Sequence, residues 1–305
     1  QACREARDLW PKWAEELRAE TGLPVDHDSS GTLVVALDDA SERELDCLSE
    51  RARQRGEPCE EITVDRAREF VPDLSREVRR ALLLAGEHRA NNVQAIAALE
   101  RSCQRRGVDV RFGVEVDRVE VEKDRVGVVT RRGAFEGAIA VAALGAWSGR
   151  LEGVSPLPVR PVRGQMMRMG KVDWPWQGTL RIAGGGYAVR RGSGLLIGAT
   201  SEAVGFANEV TTSGKEWLSA LRARLFPSLV EVPIETFWSG LRPGSRDGLP
   251  LLGRLDSNVF AATGLSRHGI LLAPWVGREL AGAVVGGGGD LTAFSPDRFA
   301  RTVRE

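Results

Sequence analysis

The chain is poor in the residues that usually announce a metal or redox centre. Its 305 residues include only three histidines and four cysteines, and Cys3, Cys47, Cys59 and Cys103 are scattered without a C-x-x-C pair. No metal site is therefore expected, and four free thiols point to a reducing compartment. No apolar stretch approaches the roughly 20 residues that span a bilayer, and no signal-peptide pattern opens the sequence, so a cytoplasmic protein without a membrane partner is expected. Charge of either sign is also missing in excess. The 42 basic and 42 acidic side chains cancel, which argues against a nucleic-acid partner and for a small-molecule ligand. No G-x-S-x-G elbow, P-loop or H-E-x-x-H occurs, and no two carboxylates are singled out for acid–base work.

A length of 305 residues allows a large core and two lobes. Ala6, Leu9, Trp10, Trp13 and Leu17 recur at helical spacing, predicting a helix from Ala2 to Glu20 stopped by Gly22. Thr32 to Leu37 and Ala81 to Ala85 read as strands, and Ser41 with Glu44 reads as a capping box for a helix towards Arg55. Asn91 and Asn92 are placed to cap a helix through Arg105, closed by Gly107. From Val108 the period becomes two: Val110, Phe112, Val114 and Val116 predict a strand, followed by a meander through Val119, Val121, Val126, Val128 and Val129. Ala138 to Leu144 is a continuous apolar run, as in a strand buried on both faces.

The stretch from Phe237 to Pro274 is the most pointed part of the sequence. Gly240 and Gly244 flank Leu-Arg-Pro, Gly264 and Gly269 flank Leu-Ser-Arg-His, and each turn adjoins an apolar run. Glycine lets backbone lie flat against a ligand, and an arginine held there offers a forked pair of donors to a carboxylate. The residues alone leave a second reading open, in which Arg242 and Arg267 are solvated arginines of ordinary surface turns. Tyr187, the one tyrosine, follows three glycines at a strand and by its residues alone reads first as a half-buried strand aromatic. Met166, Met167 and Met169 read as core or pocket filler, and Arg246 with Asp247 as a structural pair.

Five segments in order carry a resemblance: VAALGAWSGRL (Val141–Leu151), PVRGQMMRM (Pro161–Met169), YAVRRGSGLLIGAT (Tyr187–Thr200), GLRPGSRDGLPLLGR and ATGLSRHGILLAP. Together they resemble the glycine oxidase branch of the D-amino-acid-oxidase-like FAD flavoproteins over nearly the whole chain. That family opens with a strand, a G-x-G-x-x-G turn and a helix that hold the pyrophosphate. No such unit is found here. Gly184–Gly186 precedes a strand, Gly192-Ser-Gly194 reads as a hairpin turn, and Gly286–Gly289 follows a helix. The sequence begins with Gln in what resembles a later helix of the family, so at least one βαβ unit of ~30 residues is expected to be missing.

The resemblance implies an α/β fold of two interleaved lobes. A Rossmann-like FAD lobe without its first βαβ would take 1–30, 86–162 and 241–305, and an antiparallel-sheet substrate lobe would take 31–85 and 163–240. It implies FAD-dependent oxidation of glycine or another small amino acid by dioxygen, with homo-oligomers compatible and, in the family, a link to thiamine thiazole synthesis. Arg242 would clamp the substrate carboxylate, Tyr187 would donate its hydroxyl to it, and Arg267 would approach substrate and flavin. Val116, Gly145, Trp147, Gly164, Gln165 and the run Ser266, Arg267, His268, Gly269, Ile270 and Leu271 would contact the cofactor. His268 departs from the small amide usual at that position, which puts the substrate in question and leaves a plain loop histidine as an alternative. Sarcosine oxidation, D-amino-acid dehydrogenation and a non-catalytic remnant binding a carboxylate or partner chain are the rival readings.

Overall fold

A computed structural model describes residues 1–303, with side chains through residue 299. The chain begins with α1 (Ala2–Thr21), β1 (His27–Asp28), β2 (Thr32–Ala36), α2 (Asp39–Gln54), β3 (Glu60–Ile62), α3 (Val64–Phe70), β4 (Arg80–Leu84), β5 (Arg89–Ala90) and α4 (Asn92–Arg105). Then follow β6 (Val116–Val121), β7 (Val126–Thr130), β8 (Gly133–Gly137), β9 (Ala140–Ala142), β10 (Val159–Lys171), β11 (Thr179–Ile182), β12 (Tyr187–Arg191) and β13 (Gly194–Gly198). The last part contains α5 (Thr212–Leu225), β14 (Ile234–Ser245), β15 (Leu251–Asp256), β16 (Val259–Thr263) and α6 (Gly269–Val285). This is a mixed α/β protein. No described helix is long and apolar enough to cross a membrane.

The helices begin and end where local chemistry allows. On α1, Ala6, Trp10, Ala14 and Leu17 form the buried stripe, and the chain leaves through Gly22 in the left-handed region at φ 74°. Asn91 caps α4, its side chain accepting from the Gln94 amide as expected. The cap of α2 lies three residues ahead of its expected position. Asp38 accepts from the Ser41 amide, while the Ser41 hydroxyl receives the Asp38 amide, so Ser41 is the third helical residue and not the cap.

Eight strands form the largest sheet, in the order β14-β10-β13-β12-β11-β2-β4-β3. All neighbours run antiparallel except β11 and β2. One face packs against α3 and α5 through fully buried Leu33, Met167, Met169, Leu180, Ile197 and Phe226. Met167 and Met169 are thus core, and Met166, one residue before them on the strand, points to the opposite face. A second, three-stranded sheet, β15-β16-β9, is covered by α1 and α6, with Ala6, Leu252, Leu272 and Trp275 at the contact. The meander β6-β7-β8 closes its other side through Val119, Val126 and Val259.

Two strand expectations are corrected. Residues 108–115 form no strand, and Val108 and Phe112 are 52% and 67% exposed. Alternating apolar residues make a strand only when a neighbour receives their backbone groups, and here the pairing starts at Val116. The apolar run at Ala138–Leu144 yields only β9, an edge strand with a single, parallel neighbour. Ala142 is buried but Val141 is 47% exposed, because nothing described packs on its side.

Behind β10, the core face ends in a polar cluster. Arg163, 4% exposed, donates to Glu202 Oε2 at 2.6 Å, and Gln165, 0% exposed, donates to Glu202 Oε1 at 2.8 Å and to Thr211 Oγ1 at 3.0 Å. Hydrogen bonding from Arg163 above all holds the Glu202 carboxyl at about 2, against an ordinary 4.5. A depressed folded-state value adds stability that is complete above the ordinary value and lost as pH falls through the folded one. The stability gap between wild type and Glu202→Gln should therefore narrow from pH 4.5 to 2, measured as urea midpoints; a gap independent of pH would refute this role.

Candidate active site

The face of the large sheet turned away from α5 carries the site. Register sets one row across four strands: Tyr187 pairs with Gly198, Gly198 with Met166, and Met166 with Trp238. On β10 and β14 the same face continues through Gly164 and Gly240, which pair, to Val162 and Arg242. Gly198 and Gly164 are buried and have no side chains of their own, so the face between Tyr187 and Arg242 is a shallow trough, over which Met166 lies at Gly198 and Arg242 at Gly164. Arg242 folds over Gly164 so closely that a Cβ there would collide with the guanidinium. Its Nη1 donates to the Thr200 carbonyl at 3.1 Å, and it forms no ion pair among the described residues.

Tyr187 is half-buried at the other end. Its hydroxyl lies 3.5 Å from Met166 Sδ, a weak acceptor that leaves the proton available for a stronger one. Burial pushes the phenol up, partly offset by the charges of Arg242 and Arg191, so it is a donor throughout the neutral range. The sequence had not singled out Arg191, although its place four residues beyond Tyr187 on a strand puts it on this face.

The second glycine-rich turn meets the end of β14 through a bridge between Gly244 and Leu265. Ser266 takes the left-handed conformation at φ 49°, and α6 starts at Gly269 without a side-chain cap from His268. A single turn, Ser266–His268, runs directly into this helix, and the positive end of the helix dipole there suits negative charge. Trp10 anchors the first turn, its Nε1 lying 3.0 Å and 3.1 Å from the Ile270 and Leu271 carbonyls. Arg267 and His268 are exposed. Arg267 makes no described hydrogen bond or ion pair, and partial burial of the ring, then the charge of Arg267, lowers the proton affinity of His268.

Gly145 follows β9 and lies beside the same turn. Its carbonyl accepts from Ser148 Oγ at 2.8 Å and Thr263 Oγ1 at 3.1 Å, tying together the exits of the parallel strands β9 and β16. Ligands of parallel sheets collect at such strand ends. Trp147 packs on Phe206 at 6.0 Å, in the loop that also supplies Thr200. A glycine-floored trough, an uncapped helix end and paired strand exits fit the ring end of a flavin. No glycine-rich strand–turn–helix for the pyrophosphate occurs in the 305 residues.

Two sequence expectations, for the Gln165 side chain and for the partner of Asp247, end elsewhere. Strand alternation turns Gln165 to the core face, where its amide is taken up by Glu202 and Thr211, so its side chain cannot line the trough beside Gly164. Val116, whose backbone is expected to face the adenine, opens β6 beside Thr130. Asp247 pairs with Arg298 at 2.8 Å instead of Arg246, because the C-terminal segment packs over that turn. The Glu202 cluster behind the trough escaped notice because its members are distant in sequence.

A family model described as FAD dependent oxidoreductase (DAO) matches residues 1–283. Glycine oxidase of Pseudomonas aeruginosa is 33% identical over 290 residues, covering 92% of this chain and 78% of that protein. A bifunctional ThiO/ThiG protein of Trichormus variabilis is 31% identical over 307 residues, 98% of this chain and 46% of that protein. The crystal structure of glycine oxidase from Geobacillus kaustophilus aligns with a TM-score of 0.90 at 31% identity, over 96% of this chain and 81% of that one. With that match on top of the trough and its strand-end turns, the chain belongs to the DAO family of FAD-dependent oxidoreductases and is an FAD-dependent amino-acid oxidoreductase.

Proposed function

We propose that the chain oxidatively deaminates glycine or another small amino acid, with dioxygen as electron acceptor, in the cytoplasm. The observation that carries this reading is the shared face of Tyr187 and Arg242, a protonated phenol and a guanidinium with no internal carboxylate. The two lobes are assigned as 1–30, 86–162 and 241–305 for cofactor and 31–85 and 163–240 for substrate. Four free cysteines support the compartment.

Arg242 receives the substrate carboxylate, since its Thr200 bond occupies Nη1 and leaves its other donors available. Tyr187 donates to the same carboxylate. Two donors fixed on one sheet restrict how the Cα–H bond is presented. Gly164 leaves room for the Arg242 guanidinium and Gly198 for the Met166 side chain, while the Arg267 turn at the start of α6 favours negative charge at the cofactor's edge. When bound, FAD supplies the acceptor for the Cα hydride and passes the electrons to dioxygen as peroxide. None of the trough residues named here takes a proton, so the amine reacts in its neutral form.

The test is turnover of the FAD-loaded protein with glycine, sarcosine and D-alanine, followed as peroxide, ammonia and oxo acid. Comparable yields of all three products from glycine support the reading. Turnover of D-alanine with a dye but not with dioxygen would favour a dehydrogenase, and a chain that never takes up flavin would favour a carboxylate-binding remnant. Arg242→Met should cost about 2–5 kcal/mol in kcat/KM, mainly through KM; a change below threefold would dismiss the clamp. Tyr187→Phe should cost about 1.5–3 kcal/mol by the same assay. Gly164→Ala, which displaces the Arg242 guanidinium without removing it, should lower kcat/KM on the order of 100-fold while circular dichroism stays native.

A further inference from the structure

The chain has three methionines, and β10 carries all of them. Strand alternation separates them. Met167 and Met169 are fully buried in the core behind the sheet, whereas Met166 is partly exposed on the trough face. Its side chain lies over Gly198, where a Cβ would come within 2.9 Å of its Cγ and Cε and 3.4 Å of its sulfur. The missing side chain of Gly198 thus makes a seat for the thioether, in the row that runs from Tyr187 to Trp238.

The sulfur has one polar neighbour. The Tyr187 hydroxyl lies 3.5 Å from Met166 Sδ and makes no other hydrogen bond among the described residues. A thioether is a poor acceptor, which keeps the phenol available to a carboxylate. A sulfoxide at the same place is polar and accepts strongly through its oxygen, so the hydroxyl would be taken up within the protein.

We propose that Met166 is an oxidation site, at which hydrogen peroxide formed in the trough converts the thioether to a sulfoxide that captures the Tyr187 hydroxyl and so weakens carboxylate binding. The inference rests on the peroxide-forming reading above. The sulfur lone pair forms an S–O bond to one peroxide oxygen, the O–O bond breaks, and the proton of the transferred oxygen passes to the departing hydroxide. Sulfur loses two electrons, peroxide gains them, and water leaves. Accumulated product thereby slows the protein through its own substrate anchor, while the core methionines stay reduced.

Adding hydrogen peroxide to the 305-residue chain and locating the gained oxygen by peptide fragmentation in a mass spectrometer tests the site without flavin. Met166 should gain one oxygen at least ~10-fold faster than Met167 and Met169, in line with its exposure. Tyr187 is the one tyrosine of the chain, so the intensity ratio of its Raman Fermi doublet reports a single hydroxyl. That ratio should fall on oxidation, as for a phenol that donates strongly, and should not respond to peroxide in Met166→Leu, a swap that nearly conserves volume. Acetate affinity, by isothermal titration calorimetry, should drop on the order of 10-fold in the oxidised wild type, through loss of one hydrogen bond to a charged group. Core methionines oxidised as fast as Met166, a doublet unchanged by oxidation, or an acetate affinity that oxidation leaves unchanged would overturn the proposal. FAD-loaded protein turning over glycine in air should also mark Met166, and peroxide release without that mark would overturn it too. If glycine yields no peroxide while added peroxide marks Met166 and moves the doublet, the oxidase reading fails and the oxidation site stands.

Discussion

A guanidinium lying flat across a glycine is the contact on which the site depends. Arg242 reaches over Gly164 to the Thr200 carbonyl, a path that any side chain at position 164 would close. Arginine is well suited to this place because its planar fork stays charged when half-buried, and because one nitrogen can hold the backbone while the others face the trough. A cation half-withdrawn from water without an acid of its own favours an anionic ligand, which is the basis of the role proposed for Arg242.

The large sheet separates two tasks by alternation alone. On β10, Val162, Gly164 and Met166 face the trough, while Arg163, Gln165 and Met167 face α5. The cluster of Arg163, Glu202, Gln165 and Thr211 is bonded internally, so it braces the strand and the start of α5 without presenting a free group to a ligand. The loop that brings Glu202 into that cluster also brings the Thr200 carbonyl to Arg242. Rigidity behind the sheet is thereby passed to the binding face.

Much of the fold was legible where local chemistry decides. Helix α1 ends at the glycine its pattern predicts, and Asn91 caps α4, because stripe and cap are properties of a few consecutive residues. The site was legible in part: the resemblance named Gly164, Tyr187 and Arg242, and the register brings them to one face. The Gln165 side chain turns to the core face and Arg191 was passed over, since a motif names neighbours in sequence without saying which side of the sheet each one takes. Val108–Val116 looked like a strand because apolar alternation is visible in sequence, whereas the partner strand that must accept its hydrogen bonds is not.

The sequence by itself determined α1, α2 and α4 and the glycine–arginine pairing of the two turns, and its balanced charge pointed to a small-molecule ligand. Tertiary structure alone decided which charges are left without partners. Arg89, Arg168 and Arg191 look alike in the chain, yet folding supplies Asp26 to the first and Glu235 to the second, and leaves the third turned to the trough. An ion pair forms between residues far apart in the chain, so the charge that remains free can be found only after the others have been matched.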